Sequence, residues 1–335
     1  MKKYQLTKPG GLANLTVTDT EIPEPGAGKV LVHWQATSLN YHDYMVALGA
    51  IPAAEGRVPM SDGSGEVVAV GAGVSNWQPG DRVMSLFFPD WLYGKPTPAS
   101  TRAVSGDTVD GYAQEYSCVD AQALTAIPDN YSFAQAATLP CAGLTAWRAL
   151  IVDGNLQAGD TVLVQGTGGM SIFALQIAKA AGAYVYATTS SEEKMEKLKA
   201  LGADEVINYR ADERWGKTIA NRSGGIDHVL DVGADSTLNH SLDAVAMGGH
   251  IALIGVLGGV TAQLMMPTTF FKHVKMNGLA VGSRAMQEKM IAAINTNNIV
   301  PVVDRSFPFE SLAQAFEYQA SGAHFGKIVI NYDAL

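Results

Sequence analysis

Residues 160–182 read DTVLVQGTGGMSIFALQIAKAAG. Val162, Leu163 and Val164 form a short apolar run, rich in β-branched side chains, that stops at Gly166-Thr167-Gly168-Gly169. Beyond the glycines, Ile172, Leu175, Gln176 and Lys179 recur at helical spacing, with Ile177, Ala178 and Ala181 adding apolar sides. A buried strand, a glycine turn and a helix start in that order cradle a dinucleotide pyrophosphate. Glycine lets the backbone approach, and the helix N-terminus offers unpaired N–H groups and the positive end of its dipole. Ser171 stands where the usual pattern has its third glycine, and Gly169 adds one inside the turn. A glycine turn closing an unrelated strand–helix pair is the alternative. Against it stands a second strand, Ala183–Thr189 (AYVYATT), at the distance a βαβ unit requires.

The end of that second strand bears on which dinucleotide is held. NAD sites place Asp or Glu there to accept the ribose hydroxyls, and a carboxylate repels a 2′-phosphate. Here the strand runs into Thr188-Thr189-Ser190-Ser191, with Lys194 a step beyond. Small hydroxyls and one cation suit a phosphate, so NADPH is expected over NADH. The same residues also read as an ordinary helix start, with Ser190 or Ser191 capping a helix Glu192–Leu201 and Lys194 solvated on its surface. The two readings are compatible.

At 335 residues the chain is long enough for two domains. A formal net charge of −9 with no dense basic run argues against nucleic acid as a partner. The opening MKKYQLTKPGG has no apolar segment of the secretory kind, so cytoplasmic residence is expected. Residues Ile251–Phe271 carry no charge, yet Gly255, Gly258, Gly259 and Pro267 interrupt them and Thr261, Gln263, Thr268 and Thr269 wet them. A buried strand and loop is expected there, and no membrane span. Cys118 and Cys141, the two cysteines of the chain, are too far apart in sequence for a zinc knuckle, and a cytosolic protein keeps them reduced.

Residues 1–125 read as β-rich. Lys29–Gln35, Gly65–Val70 and Tyr112–Val119 are strand-like runs between Pro and Gly turns, as in a small barrel. Residues 86–110 form a long insertion of low periodicity, of the kind that serves as a lid or binding loop. Phe87, Phe88, Trp91 and Tyr93 near its start are expected to cover something. From 126 to 270 strands and helices alternate, with strands at 183–189, 205–208, 226–232 and 250–256, which means a parallel sheet covered on both faces. Residues 271–335 hold a strand-like Lys275–Gly282, helices near Gln287–Asn295 and Phe309–Ser321, and a terminal strand Lys327–Asn331. Part of this segment is expected to return to the first domain.

With these pieces placed, the chain resembles the medium-chain dehydrogenase/reductase superfamily over nearly its whole length, most closely the zinc-free quinone-oxidoreductase-like branch often named alcohol dehydrogenase-like. The resemblance is carried by Ser38-Leu39-Asn40-Tyr41-His42-Asp43, Ser61-Asp62-Gly63-Ser64-Gly65-Glu66-Val67 with Val70-Gly71, Pro79-Gly80-Asp81-Arg82-Val83, Leu139–Trp147, the glycine turn, and Phe325-Gly326-Lys327-Ile328-Val329. It implies an α/β fold. A GroES-like β-barrel catalytic domain (1–125) precedes a Rossmann doubly wound parallel sheet (126–270), a return segment (271–335) completes both, and the active site lies in a cleft between the domains. In zinc-containing relatives two cysteines and a histidine hold a catalytic metal. At those positions this chain has Asn40, Ser61 and Cys141, so no metal is expected. The seven histidines form no ligand spacing and read as surface or core residues.

The resemblance also implies residue roles. Asn40 lies beside the nicotinamide or the substrate oxygen, and its bland alternative is a turn residue. Thr145 lies beside the nicotinamide ribose, and Gly166, Gly168, Gly169 and Met170 face the pyrophosphate. Ser190, Lys194 and Tyr209 match a 2′-phosphate pocket, although Tyr209 also reads as a surface aromatic. Gly255, Val256 and Ser283 touch the carboxamide. A homodimer is implied, paired through Lys275–Ser283.

Without a metal, hydride delivery from NADPH to an enone or a quinone is the accessible chemistry, with Asn40 donating to the developing enolate oxygen and Tyr41 or Tyr44 as candidate proton donors. The competing readings are a metal-free alcohol or aldehyde oxidoreductase and an NADPH-binding protein with little catalysis.

Overall fold

The structure, a computed structural model, describes residues 1–332. The last three residues of the expected 271–335 segment lie outside that description. The chain forms two compact units, Met1–Leu144 with Val281–Leu335, and Thr145–Ala280.

The first unit begins with β1 (Lys2–Leu6) antiparallel to β2 (Leu15–Asp19). Then come β3 (Lys29–Ser38), α1 (Tyr41–Ala47), β4 (Ser64–Val70), β5 (Arg82–Ser85), β6 (Tyr116–Asp120), β7 (Leu124–Ala126) and α2 (Phe133–Ala136). Val30, Val32 and Trp34 alternate along β3 and meet Val67, Val83 and Leu124 in one core, with the Tyr112 ring 4.5 Å from Trp34. This period-two burial fixes the strand's register, because a slip by one residue turns the whole apolar set to the other face.

α3 (Leu144–Trp147) leads into the second unit. There β8 (Thr161–Gln165), α4 (Gly169–Ala180), β9 (Tyr184–Thr189), α5 (Glu192–Ala200), β10 (Glu205–Asn208), α6 (Trp215–Ser223), β11 (Ile226–Asp231), α7 (Leu238–Ala244), β12 (Val245–Leu253), α8 (Met266–Phe271) and β13 (Lys275–Gly278) follow in turn. The strands lie in the order β10-β9-β8-β11-β12-β13, every pairing parallel. Chain order runs outward in both directions from β8, so the reversal lies between β8 and β11, where a parallel sheet leaves a crevice beyond its strands' carboxyl ends. Returning to the first unit, α9 (Arg284–Asn297), β14 (Val303–Pro308), α10 (Leu312–Ala320) and β15 (Lys327–Asn331) give a seven-stranded sheet, β14-β15-β3-β4-β5-β7, with β6 also on β3.

Four sequence expectations shift. Residues 126–144 belong to the first unit, since Phe133, Ala134 and Ala137 pack with Ala36 of β3 and Val329 of β15. Residues 271–280 belong to the second, since β13 is hydrogen-bonded to β12. Within the insertion Phe87, Phe88 and Trp91 are buried, whereas Tyr93 is 77% exposed. The uncharged run 251–271 is buried only at its start. Val260, Met265, Phe270 and Phe271 are all more than half exposed. The chain leaves the sheet after Leu253, and Pro267 opens α8 rather than breaking the run. Among the described residues no helix is long and apolar enough to cross a membrane.

Candidate functional site

In the second unit the glycine turn stands at the carboxyl end of β8. Gly166 has φ +73° and donates its N–H to Thr188 O (2.9 Å), while Gly168 is the N-cap of α4 with no side-chain cap. A Cβ built on either glycine meets nothing within 4 Å. Gly169 and Met170 form the first turn of α4. A helix N-terminus with uncapped N–H groups facing open space fits a pyrophosphate. Ser171 is tolerated in place of glycine because its hydroxyl donates to Gln165 O at 2.7 Å and so ties the helix to β8.

Other expected residues gather at the same carboxyl edge. Ser190 follows β9, and Ser191 caps α5, accepting from the Lys194 N–H (3.3 Å). Tyr209 follows β10, donates its N–H to Thr189 O (3.0 Å) and is 40% exposed. The parallel register Asn208↔Thr189 brings these strand ends together. One carboxylate that sequence reasoning passed over, Glu192, is held at this corner by the Asn208 amide (2.6 Å). Gly255 and Val256 follow β12, with the Gly255 N–H directed at Asp231 O (3.3 Å). Asp231 was also missed. Buried at the end of β11, it accepts from Gly233, Ala234, Thr237 and Ser241 and so fixes the loop at the switch point. Thr145 is buried in α3, and Ser283 is buried in the first unit, where its hydroxyl caps α9.

In the first unit a buried polar cluster surrounds Asn40. Asn40 precedes α1, and Asp43 of that helix reaches back to its N–H (3.0 Å). The Asn40 Nδ2 group donates to Ser61 Oγ (3.2 Å) and Asp62 Oδ2 (2.8 Å), and its Oδ1 accepts from Lys327 Nζ (2.6 Å). Both amide protons are therefore engaged within the protein, which sequence reasoning about an amide free to meet substrate did not foresee. Ser61 donates in turn to Asp43, Ser38 donates to Asp62, and Asp62 Oδ1 has no partner. Desolvation, reinforced by Asp43 and opposed by Lys327, pushes the Asp62 carboxyl up to about 6. Burial, with Asp62 nearby, holds the Cys141 thiol well above its usual range. Asp62 and Lys327 lay inside the quoted motifs. Their signal was a single charged residue among apolar or small neighbours, Asp62 just before β4 and Lys327 at the first position of β15.

Tyr41 is 42% exposed, while the Tyr44 ring packs 6.0 Å from that of Phe316. His42, read as an ordinary histidine, lies 3.3 Å from Asp107 of the insertion and 3.9 Å from Asp43. Burial alone would lower its pKa, but the two carboxylates outweigh burial and raise it. The donor set does not fit a catalytic zinc. Asn40 is spent on Ser61, Asp62 and Lys327, Cys141 is the one thiol of the set, and a buried ammonium already stands at the amide oxygen.

Residues 26–129 match the alcohol dehydrogenase GroES-like domain family and residues 169–296 the zinc-binding dehydrogenase family. A zinc-type alcohol dehydrogenase-like protein of Schizosaccharomyces pombe is 40% identical over 334 residues, covering 96% of each chain. The chain belongs to the medium-chain dehydrogenase/reductase superfamily. The crystal structure of a Sinorhizobium meliloti 1021 protein described as an alcohol dehydrogenase superposes on this medium-chain dehydrogenase with a TM-score of 0.93 at 39% identity, covering 99% of this chain and 98% of the other. An acryloyl-coenzyme A reductase of Metallosphaera sedula is 29% identical over 323 residues, covering 94% and 95% of the two chains. This medium-chain dehydrogenase is thus an oxidoreductase with a GroES-like unit and a Rossmann unit for a nicotinamide cofactor.

Proposed function

We propose that the chain is a zinc-independent, NADPH-dependent reductase of an activated C=C bond in an enone, or of a quinone. The observation that carries this reading is the Asn40 amide, fixed by charged partners at both ends in a site whose donor set does not suit zinc. A bound NADPH would supply the hydride that forms the new C–H bond at the β-carbon, while the C=C pair shifts to leave an enolate. Asn40 stabilises that oxygen. Its N–H toward Ser61, at 3.2 Å, is the more loosely held, and Ser61 keeps its bond to Asp43 when that N–H turns to donate a hydrogen bond to the substrate oxygen. The proton for the α-carbon comes from water or from the exposed Tyr41 phenol. Tyr44 is the poorer candidate, its ring being packed against Phe316. The acryloyl-coenzyme A reductase relative acts on a conjugated acyl group, which supports C=C over C=O reduction.

NADPH over NADH is supported by Thr188-Thr189-Ser190-Ser191, which ends β9 without a carboxylate. Lys194 on α5 adds a cation at the corner where Asn208 holds the Glu192 carboxylate. A homodimer through β13 completes the proposal, since β13 is an open sheet edge and Phe270 and Phe271, shortly before it in the chain, are more than half exposed.

Following NADPH oxidation with an enone and with its matched saturated aldehyde tests the reading. Turnover is expected on the enone at a rate at least tenfold above that on the aldehyde. A preference for the aldehyde would favour the alcohol dehydrogenase activity that the relatives' names suggest. Tight NADPH binding without turnover on a broad panel would favour a binding protein.

A further inference from the structure

We propose that Lys327 is the positioning residue of this site, a fixed cation that sets the direction and the donor strength of the Asn40 amide. The inference rests on the reading of Asn40 as the donor to the developing enolate. Lys327 opens β15, is 4% exposed, and directs Nζ at Leu39 O (2.6 Å) and Asn40 Oδ1 (2.6 Å), with Asp62 Oδ2 at 3.8 Å. The main-chain bond to Leu39 anchors the ammonium independently of the side chain it acts on.

Two consequences follow from elementary electrostatics. An asparagine amide is free to turn over unless its neighbours tell oxygen from nitrogen, and here they do. Turned over, its NH2 would face the ammonium and its oxygen would face Asp62, two repulsive contacts in place of two attractive ones. The amide is therefore locked with its protons toward Ser61 and Asp62. The second consequence is electronic. A cation on an amide oxygen draws density from the nitrogen, so the N–H becomes a stronger donor to a developing oxyanion, and the burial of both Asn40 and Lys327 limits screening of that effect. Lys327 thereby supplies through a neutral side chain part of the polarisation that a metal would supply directly.

The test uses the full-length protein in four variants, Lys327→Met, Lys327→Arg, Asn40→Ala and Lys327→Met with Asn40→Ala. Asparagine-selective 15N labelling gives a readout that needs no turnover. The wild-type Asn40 side-chain NH2 pair is expected to resonate away from the solvent-exposed asparagines and to exchange slowly. Lys327→Met should move it toward them, and Lys327→Arg, which keeps a cation, should move it less. In turnover, Lys327→Met should lower kcat about 100-fold, the order of one lost oxyanion donor, with KM for NADPH within about threefold. Combined with Asn40→Ala it should add nothing further. A Lys327→Met protein with an unmoved Asn40 signal or wild-type kcat, or losses that multiply in the double variant, would overturn the proposal. If Lys327→Met leaves Asp62 uncompensated and the fold fails, Lys327→Met with Asp62→Asn replaces it under the same criteria. If the wild type reduces no enone or quinone, the functional reading fails, while the amide resonance still decides whether Lys327 holds Asn40.

Discussion

Gly168 is where folding and binding come apart most cleanly. Its backbone sits at φ −72°, ψ 168°, which any residue adopts, and a Cβ there meets no atom within 4 Å. Gly168→Ala should therefore destabilise the free protein by no more than about 1 kcal/mol, the usual cost of alanine in place of a favoured N-cap residue. If the pyrophosphate lies against this turn, the same methyl group intrudes on it, and calorimetry should show NADPH affinity falling at least tenfold. An unchanged affinity would remove the glycine turn from the cofactor site. Asn40→Ala should do the opposite. It removes the donor without touching the turn, so kcat falls about 100-fold while the NADPH dissociation constant holds within about threefold. Equal losses in both constants would mean that Asn40 only shapes the fold.

The 86–110 insertion is held to α1 partly by charge. His42 lies 3.3 Å from Asp107, and its folded-state pKa is raised above 6.5. A raised histidine pKa means that the folded state binds the proton more tightly. The contribution is complete below the unfolded value of about 6.5 and is lost as pH climbs through the raised folded value. Denaturant titrations should thus show wild type more stable than His42→Gln by about 1 kcal/mol near pH 6, narrowing toward zero near pH 9. A gap that stays constant with pH would assign the loss to packing against Phe87, whose ring centroid is 5.3 Å from that of His42. This contact also marks the limit of what sequence conveys. β8, the glycine turn and α4 were legible because period and turn chemistry are local, and β10 came out residue for residue. His42–Asp107 and Asn40–Lys327 join segments 65 and 287 residues apart, and no spacing rule reaches across such gaps. The loop after β12 was misjudged for a related reason. Apolar composition reports that a segment avoids water, not what covers it.

What covers that loop is a question about the assembled protein, and the two edges of the parallel sheet answer it differently. β10 closes one edge with Glu205, which is paired to Arg222 at 3.1 Å, a charged guard of the kind that blocks strand addition. β13 closes the other edge, and near it in sequence stand Val260, Met265, Met266, Phe270 and Phe271, each more than half exposed. Unpaired backbone N–H and C=O groups are stabilised by a second strand, and exposed apolar side chains by a covering surface. A second copy of this chain brings both, and a two-fold axis needs only one surface that complements itself. Sedimentation should therefore give twice the 35.4 kDa chain mass at micromolar concentration. Val260→Asp with Phe271→Asp, which places two carboxylates per chain in the proposed contact, should yield monomers with an unchanged circular dichroism spectrum, because both side chains are exposed in the single chain. If the wild type sediments at the mass of one chain, β13 is an open edge and the apolar residues beside it await a different partner. If the double variant remains a dimer, the two-fold contact lies on another surface.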